Sequence, residues 1–140
     1  MPAGNWTFYN DFKENLAKAD IDLNADTFKC LLTTSSYTPS ASHSTISDIT
    51  NECADSDYSR QTLANVTVSE SGGTVTFDSD DISFGSSVTI TAKYGVIYDD
   101  TQATDPLCFY VDLDTGGGSV SSTSSTFQIT INASGIFTLA

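Results

Sequence analysis

The clearest strand pattern in the sequence is VTITAKYGVIY, residues 88–98, and the predicted fold is built around it. Apolar side chains stand at every second position of this stretch: Val88, Ile90, Ala92, Tyr94, Val96 and Tyr98. Side chains of a β-strand alternate between its two faces, so the pattern predicts one long strand with an apolar face. Ile97 places a further apolar side chain on the other face. This end of the strand is therefore expected to be covered on both sides or to meet a partner.

A second strand is predicted directly after this one. Residues 99–106 are mostly polar and end in Asp105-Pro106, a composition that favours a turn. Beyond the turn, apolar residues alternate again at Leu107, Phe109, Val111 and Leu113. The sequence thus predicts a long hairpin, apolar enough to lie in the middle of a sheet.

Further segments with a period of two add the remaining strands. They are residues 27–33, a hairpin over 66–77 with Gly72-Gly73 at its tip, a strand at 82–84 interrupted by Gly85 to Ser87, a strand from Phe127 to Ile131, and residues 136–139. The Gly/Ser/Thr-rich residues 115–125 are predicted to be a flexible connection. About eight short strands predict a mainly β fold, a β-sandwich or a jelly-roll-like barrel.

One amphipathic helix is predicted near the N-terminus. Apolar residues recur every three or four positions between Thr7 and Asp20, with Thr7 as the N-cap: Phe8, Phe12, Leu16 and Ala19. This helix is expected to cover the sheet, or else to dock onto a larger assembly. We interpret residues 1–140 as one domain, with an arm and helix over about 1–20 and a β body over about 26–140.

Residues 35–59 carry little secondary-structure signal. Residues 35–45 are predicted to be a Ser/Thr-rich loop, and residues 46–52 to contain one helical turn capped by Ser44 or Thr45. A long, weakly structured stretch inside a compact domain is often a functional surface.

The charge of the chain limits its partners. Eighteen acids against five bases give a net charge of −13. Phosphate contacts need clustered Lys and Arg, so we predict no nucleic acid and no anionic membrane as partners, whereas a basic protein patch would suit. The first six residues have neither a basic start nor an apolar run, so no secretory signal is expected and the cytoplasm is the predicted place of synthesis. Three widely spaced cysteines indicate neither a disulfide framework nor a zinc site.

No catalytic or metal-binding constellation emerges. The only imidazole, His43, lies among Ser42, Ser44 and Asp48, but a hydrogen-bonded loop histidine is the favoured interpretation over a Ser-His-Asp site. Paired aspartates fall at turns, where Asp is common anyway. The run from Asp78 to Asp81 begins to resemble a calcium loop but lacks its Gly and distal Glu. We therefore predict a structural or binding protein with no catalytic residue, no metal and no cofactor.

Short motifs over nearly the whole chain resemble a known family. That family comprises small virion proteins of tailed bacteriophages and prophages. The motifs, in order, are Phe12-Lys13-Glu14-Asn15-Leu16, Ile21-Asp22-Leu23, Asp26-Thr27-Phe28-Lys29, residues 32–39 with His43, Asn51-Glu52, Leu63-Ala64, Tyr94-Gly95-Val96-Ile97-Tyr98 and Gly135-Ile136-Phe137. The resemblance implies a capsid cement (decoration) protein that binds the major capsid protein on the outer surface of the virion head, after assembly in the host cytoplasm. Three residues depart from the pattern, namely Cys30, Cys53 and Lys93.

Aromatic and loop residues are the predicted partner contacts, because exposed aromatic residues often anchor interfaces. They are Trp6, Phe8, Tyr9, Tyr37, Pro39 and His43. Trp6 and Phe8 have the alternative of packing on the sheet. A symmetric homo-oligomer, a trimer or a dimer, would let each copy bridge several capsid subunits. Two other functions remain open: a tail or head–tail junction component, and a carbohydrate-binding module, which the single Trp disfavours.

Overall fold

The structure, a computed structural model, describes residues 3–140 and is mainly β, as predicted. Its strands are β1 (Thr7–Phe8), β2 (Phe28–Thr33), β3 (Gln61–Thr62), β4 (Thr67–Ser71), β5 (Thr74–Asp78), β6 (Ile82–Ala92), β7 (Tyr94–Asp99), β8 (Leu107–Asp112), β9 (Val120–Ile129) and β10 (Phe137–Leu139). They form a five-stranded sheet in the order β1-β8-β7-β2-β3, a three-stranded sheet β10-β5-β4 and a two-stranded sheet β6-β9. All pairings are antiparallel, and the architecture is sandwich-like. The first two residues of the predicted arm lie outside the described range.

The predicted hairpin is present as β7 and β8. Ile97 pairs with Phe109 and Val96 with Tyr110, near the middle of the five-stranded sheet. The turn closes with a 3.0 Å hydrogen bond from the Asp99 N–H to the Pro106 carbonyl. Ile97 is fully buried, so this end of the strand is covered on both sides.

The predicted strand 88–98 is divided at Lys93, and this corrects the expectation of one continuous strand. β6 starts earlier, at Ile82, and belongs to the two-stranded sheet, whereas β7 belongs to the five-stranded sheet. At the corner, the Lys93 N–H donates to the Thr33 carbonyl at 2.8 Å, and its buried ammonium group lies 2.7 Å from Asp112 Oδ1. At this corner the backbone leaves the two-stranded sheet and enters the five-stranded sheet. The apolar side chains before Lys93 therefore face a different side from those after it.

Two apolar layers cover the two faces of the five-stranded sheet. The main core holds most of the buried residues and centres on Phe109, whose ring contacts five other aromatic rings: Trp6, Phe8, Phe12, Phe77 and Phe137. The second layer, here called the tyrosine layer, consists of Tyr9, Leu31, Tyr37, Val96, Tyr98 and Leu107. Ile90 and Ala92 face the main core, whereas Val96 and Tyr98 face the tyrosine layer.

The helix α1 spans Asn10–Ala17 and is shorter than predicted. Thr7 and Phe8 pair with Tyr110 and Phe109 of β8, so Tyr9 occupies the N-cap position instead of Thr7. Sheet pairing, a non-local interaction, overrides the helical periodicity at these positions. Phe12 is fully buried in the main core, so the helix covers the sheet, as the first of the two interpretations expected.

Two predictions about flexible or broken segments are wrong. Gly85 to Ser87 do not end a strand, because β6 continues through them with shifts in its pairing register. Residues 120–125 are not a flexible connection, because they form the first half of β9. Their hydroxyl groups bond to β6, as in the 2.9 Å contact between Thr91 Oγ1 and Ser121 Oγ.

The predicted turn of the second hairpin is confirmed. Gly72 and Gly73, both with positive φ, form the tip of the β4–β5 hairpin. The three cysteines are free and buried. No helix within residues 3–140 has the length and apolarity that crossing a membrane requires.

Candidate interaction surface

Three of the predicted contact residues form a hydrogen-bonded chain in the tyrosine layer. The hydroxyl groups of Tyr9 and Tyr37 lie 3.0 Å apart, and the Tyr37 hydroxyl lies 2.9 Å from His43 Nδ1. Tyr9 and Tyr37 are 0% and 1% exposed, and burial raises the pKa of both phenols above the ordinary value. A buried hydroxyl without a partner is costly, so the chain fixes the positions of all three side chains. It thereby attaches residues 34–44, the first part of a loop that spans residues 34–60, to the start of α1.

The loop continues into a short 3-10 helix at Ile46–Asp48, within the predicted helical turn. The Asp48 carboxylate accepts hydrogen bonds from the N–H groups of Ser44 at 2.8 Å and Thr45 at 3.2 Å. These bonds lower the pKa of Asp48. Because His43 Nδ1 bonds to Tyr37 and Asp48 holds the backbone, this loop contains no serine–histidine–aspartate relay.

The far end of the loop is held by a second cluster, which sequence reasoning missed. Arg60, the only arginine of the chain, binds both oxygens of Glu52, with Nε–Oε1 at 2.7 Å and Nη2–Oε2 at 2.8 Å. The Tyr58 hydroxyl donates to the same Glu52 at 2.7 Å and accepts from the Leu32 N–H at 3.1 Å. Burial opposes ionisation of Glu52, but the bonds from Arg60 and Tyr58 outweigh it, so the pKa of Glu52 falls below its ordinary value. The guanidinium group also lies 5.5 Å from the ring centre of Tyr98.

The six predicted contact residues separate into two groups on opposite faces of the five-stranded sheet. Trp6 and Phe8 lie on the N-terminal arm, half-buried against the main core. Pro39 and His43 are half-buried on the loop. Tyr9 and Tyr37 are interior, which corrects the expectation that they are exposed anchors: they position the loop from below and offer no surface of their own.

A buried carboxyl pair is a second feature that the sequence did not predict. Burial and a hydrogen bond with Asp26 raise the pKa of Asp99 to about 7. The Thr101 N–H donates to Asp99 Oδ1 at 2.8 Å, and the side chain of Gln102 donates to Asp26 at 3.4 Å. Burial opposes ionisation of Asp26 too, but its hydrogen bonds outweigh burial and lower its pKa. Asp99 has no exposed surface, whereas Asp26 is half-buried.

The aspartates at turns mainly hold backbone. Asp57 accepts from the Thr89 N–H at 2.8 Å, and Asp81, in the run that resembles a calcium loop, accepts from the Ile131 N–H at 2.8 Å. Nowhere in residues 3–140 do three His, Cys, Asp or Glu side chains come together as a metal-ligand set. These carboxylates are therefore accounted for as partners of the chain itself.

A cleft of about 620 Å³ lies beside the arm, on the side away from the tyrosine layer. One wall is the arm from Ala3 to Trp6, which is tied to β8 by a 2.7 Å hydrogen bond from the Gly4 N–H to the Asp112 carbonyl. The other wall is formed by residues 129–138, including the turn that precedes β10. Apart from Trp6, no local sequence pattern pointed to this cleft, because its walls come mainly from the two ends of the chain.

Comparison of the chain with protein-family models, with curated proteins and with solved structures found no match.

Proposed function

We propose that this protein is a structural component of a tailed-phage virion, a cement protein that adheres to the outer surface of the capsid. The observation that carries the proposal is the loop of residues 34–60, which is almost without regular structure and yet is held at both ends. The hydrogen-bonded chain of Tyr9, Tyr37 and His43 holds its start, and the partly exposed bonds between Arg60 and Glu52 hold its end. A surface held in one conformation loses little entropy on binding, which suits adhesion by shape.

Several of the motifs that carry the resemblance to virion proteins contain the residues that hold this loop in place. Tyr37 and His43 belong to the hydrogen-bonded chain, Glu52 to the arginine cluster, and residues 94–98 to the strand beneath them. In this proposal the tyrosine layer presents the loop, and Pro39 and His43 make contact with the major capsid protein. Trp6 and Phe8 of the arm are the candidates for a second contact, to the capsid or to another copy within a trimer or dimer.

Charge favours a basic partner. The loop of residues 34–60 carries Asp48, Glu52, Asp55 and Asp57 against a single base, Arg60, which is paired with Glu52. A partner patch rich in Lys and Arg would be steered to this surface and held there by charge complementarity.

The first test is the number of copies per particle. Quantitative mass spectrometry of purified phage particles that carry this gene should find on the order of hundreds of copies, as expected of a subunit that decorates a shell. A count of about six to twelve would assign the protein to a tail or junction ring instead. Absence of the polypeptide from the particles would overturn the proposal.

The second test locates the contact. Thr38 is exposed in the loop next to Tyr37, whereas Thr67 is exposed on β4, the outer strand of the three-stranded sheet. We expect Thr38→Lys to weaken rebinding to particles stripped of the protein by tenfold or more, measured by co-sedimentation. The matched variant Thr67→Lys should bind as the wild type does. Equal binding by both variants would contradict adhesion through the loop.

A further inference from the structure

We propose that the cleft between the N-terminal arm and the turn before β10 is a binding site for a neutral saccharide. The cleft has a volume of about 620 Å³, within the usual range of small-molecule sites. This inference is independent of adhesion through the loop. It concerns the opposite face of the five-stranded sheet, where Trp6 is also the candidate for a second contact.

The chemistry of the lining selects the class of ligand. Among residues 3–140, none that lines the cleft is charged, although the chain as a whole carries a net charge of −13. The polar side chains are all amides or hydroxyls: Asn5, Thr130, Asn132, Ser134 and Thr138. Such groups both donate and accept hydrogen bonds, which is what the hydroxyl groups of a sugar require. An ionic ligand would find no opposite charge here.

Most of these groups are free to bind a ligand. Within residues 3–140, the side chains of Asn5, Thr130, Ser134 and Thr138 make no hydrogen bond to the rest of the chain. Asn132 uses its Oδ1 to accept from the Ser134 N–H at 2.8 Å. Its amide NH₂ has no partner in the same part of the chain, and so it remains available.

Trp6 supplies an apolar surface among these polar groups. Its ring packs edge-to-face against Phe109, with 5.6 Å between the ring centres, and this contact anchors one part of the indole in the main core. The remainder lines the cleft. The face of an aromatic ring is electron-rich and attracts the weakly positive C–H groups of a pyranose ring, while the indole N–H can donate to a hydroxyl.

Both walls are fixed in advance. Gly135 has a φ of +91°, and a Cβ at this position would lie 2.6 Å from Thr76 Cγ2, so the turn and β5 approach as closely as glycine permits. The Gly135 N–H bonds to the Asn132 carbonyl at 2.8 Å. With the arm tied to β8 through Gly4, ligand binding needs little rearrangement.

The site has room for more than one sugar unit. A second cleft of about 270 Å³ shares Ala3, Ile129 and Thr130 with the first. Its other lining residues are the apolar Leu113, Val120 and Phe127, together with Gln128, whose amide already donates to Asp81 at 3.2 Å. An extended peptide is the competing occupant, because one edge of β10 is unpaired. That edge is only three residues long, so the side-chain amides and hydroxyls favour the saccharide.

Intrinsic fluorescence provides a direct test, because Trp6 is the only tryptophan. The full chain should be screened on an array of neutral hexose and N-acetylhexosamine oligosaccharides and then titrated with the strongest binder. We expect a saturable change in tryptophan emission. Absence of any array binder, or binding without a change in emission, would overturn the proposal.

A matched pair of variants locates the site. Asn5→Ala with Ser134→Ala removes two free polar groups of the cleft, and we expect at least a tenfold loss of affinity. The control, Asn24→Ala with Ser56→Ala, removes the same groups at exposed positions elsewhere and should keep wild-type affinity. Equal affinities in both pairs would place the saccharide elsewhere. The competing outcome is a change in the NMR chemical shifts of the Phe137 to Leu139 amide groups when an uncharged peptide is added, with no change when any sugar is added. That result would assign the cleft to a peptide and overturn the saccharide proposal.

Discussion

The two faces of the five-stranded sheet are covered in different ways. On the main-core side the cover is a cluster of aromatic rings around Phe109, all phenyl rings except that of Trp6, and their packing rests on burial. On the other side the cover is a loop, and the contacts include hydroxyl, imidazole and guanidinium groups with specific partners. Burial is non-directional and stabilises the fold, whereas hydrogen bonds in a low-dielectric interior select one conformation. The main core therefore stabilises the fold as a whole, whereas the tyrosine layer holds the loop in one conformation.

The largest effect is expected on the main-core side. Phe109→Ala removes a fully buried ring that contacts five others, and we expect a loss of about 3–5 kcal/mol in the free energy of unfolding. Urea denaturation followed by circular dichroism measures it. Leu139→Ala, at a position 42% exposed, is the control and should cost less than about 0.5 kcal/mol. A loss below that of the control would show that Phe109 does not centre the core.

The carboxyl pair at the rim of the main core makes stability depend on pH. The pKa of Asp99 is raised to about 7 in the folded state. The stability that Asp99 contributes is therefore fully present at a pH below the ordinary pKa of an aspartate, and it is lost as pH rises through 7. Between these limits we expect the free energy of unfolding to fall by at most about 1.4 kcal/mol per pH unit. Asp99→Asn keeps a donor towards Asp26 without a titrating proton, so its profile should be flat there. Parallel profiles for the variant and the wild type would show that the pH dependence does not come from Asp99.

The hydrogen-bonded chain predicts a smaller effect in the tyrosine layer. Tyr37→Phe leaves the buried Tyr9 hydroxyl without its partner and should cost about 1–3 kcal/mol. The double variant with Tyr9→Phe should lose less free energy of unfolding than the sum of the two single changes. In the double variant neither of these residues keeps a buried hydroxyl that lacks its partner. Thermal and urea denaturation of the three variants give the coupling energy. Strict additivity would show that the two hydroxyls are independent.

The arginine cluster gives the smallest predicted change. Arg60→Lys retains the charge but loses the two-bond geometry with Glu52 and the contact with the Tyr98 hydroxyl. Since both side chains are partly exposed, we expect a loss of only about 0.5–1 kcal/mol. Hydrogen exchange should reveal the change more clearly, as faster exchange at the Leu32 N–H that bonds to Tyr58. Unchanged exchange would mean that the cluster does not hold the loop.

Local sequence patterns predicted the β7–β8 hairpin and the two-sided burial of Ile97, because period-two alternation reports directly which faces of a strand are covered. They failed at Lys93, since alternation continues unbroken while the strand passes from one sheet to another. They also failed at residues 120–125, whose serines and threonines resemble a linker in composition. There, hydroxyl pairing with β6, as between Ser121 and Thr91, replaces apolar packing.

The candidate surface was only partly predictable. Aromatic and histidine content singled out Tyr9, Tyr37 and His43, but no local pattern shows that two residues 28 positions apart share a buried hydrogen bond. The pairing of Asp26 with Asp99 and the cleft beside Trp6 have the same origin, because each joins segments that meet only after folding. Sequence therefore indicated which residue types matter, while long-range pairing decided what they do.

The corner at Lys93 joins two layers by covalent bonds. β6 and β7 are one uninterrupted backbone, and each is hydrogen-bonded within a different sheet. Sliding one sheet over the other would bend that backbone and pull the buried ammonium group away from Asp112. A force applied to one sheet is therefore transmitted along the peptide chain into the other, and the covalent link opposes sliding between them.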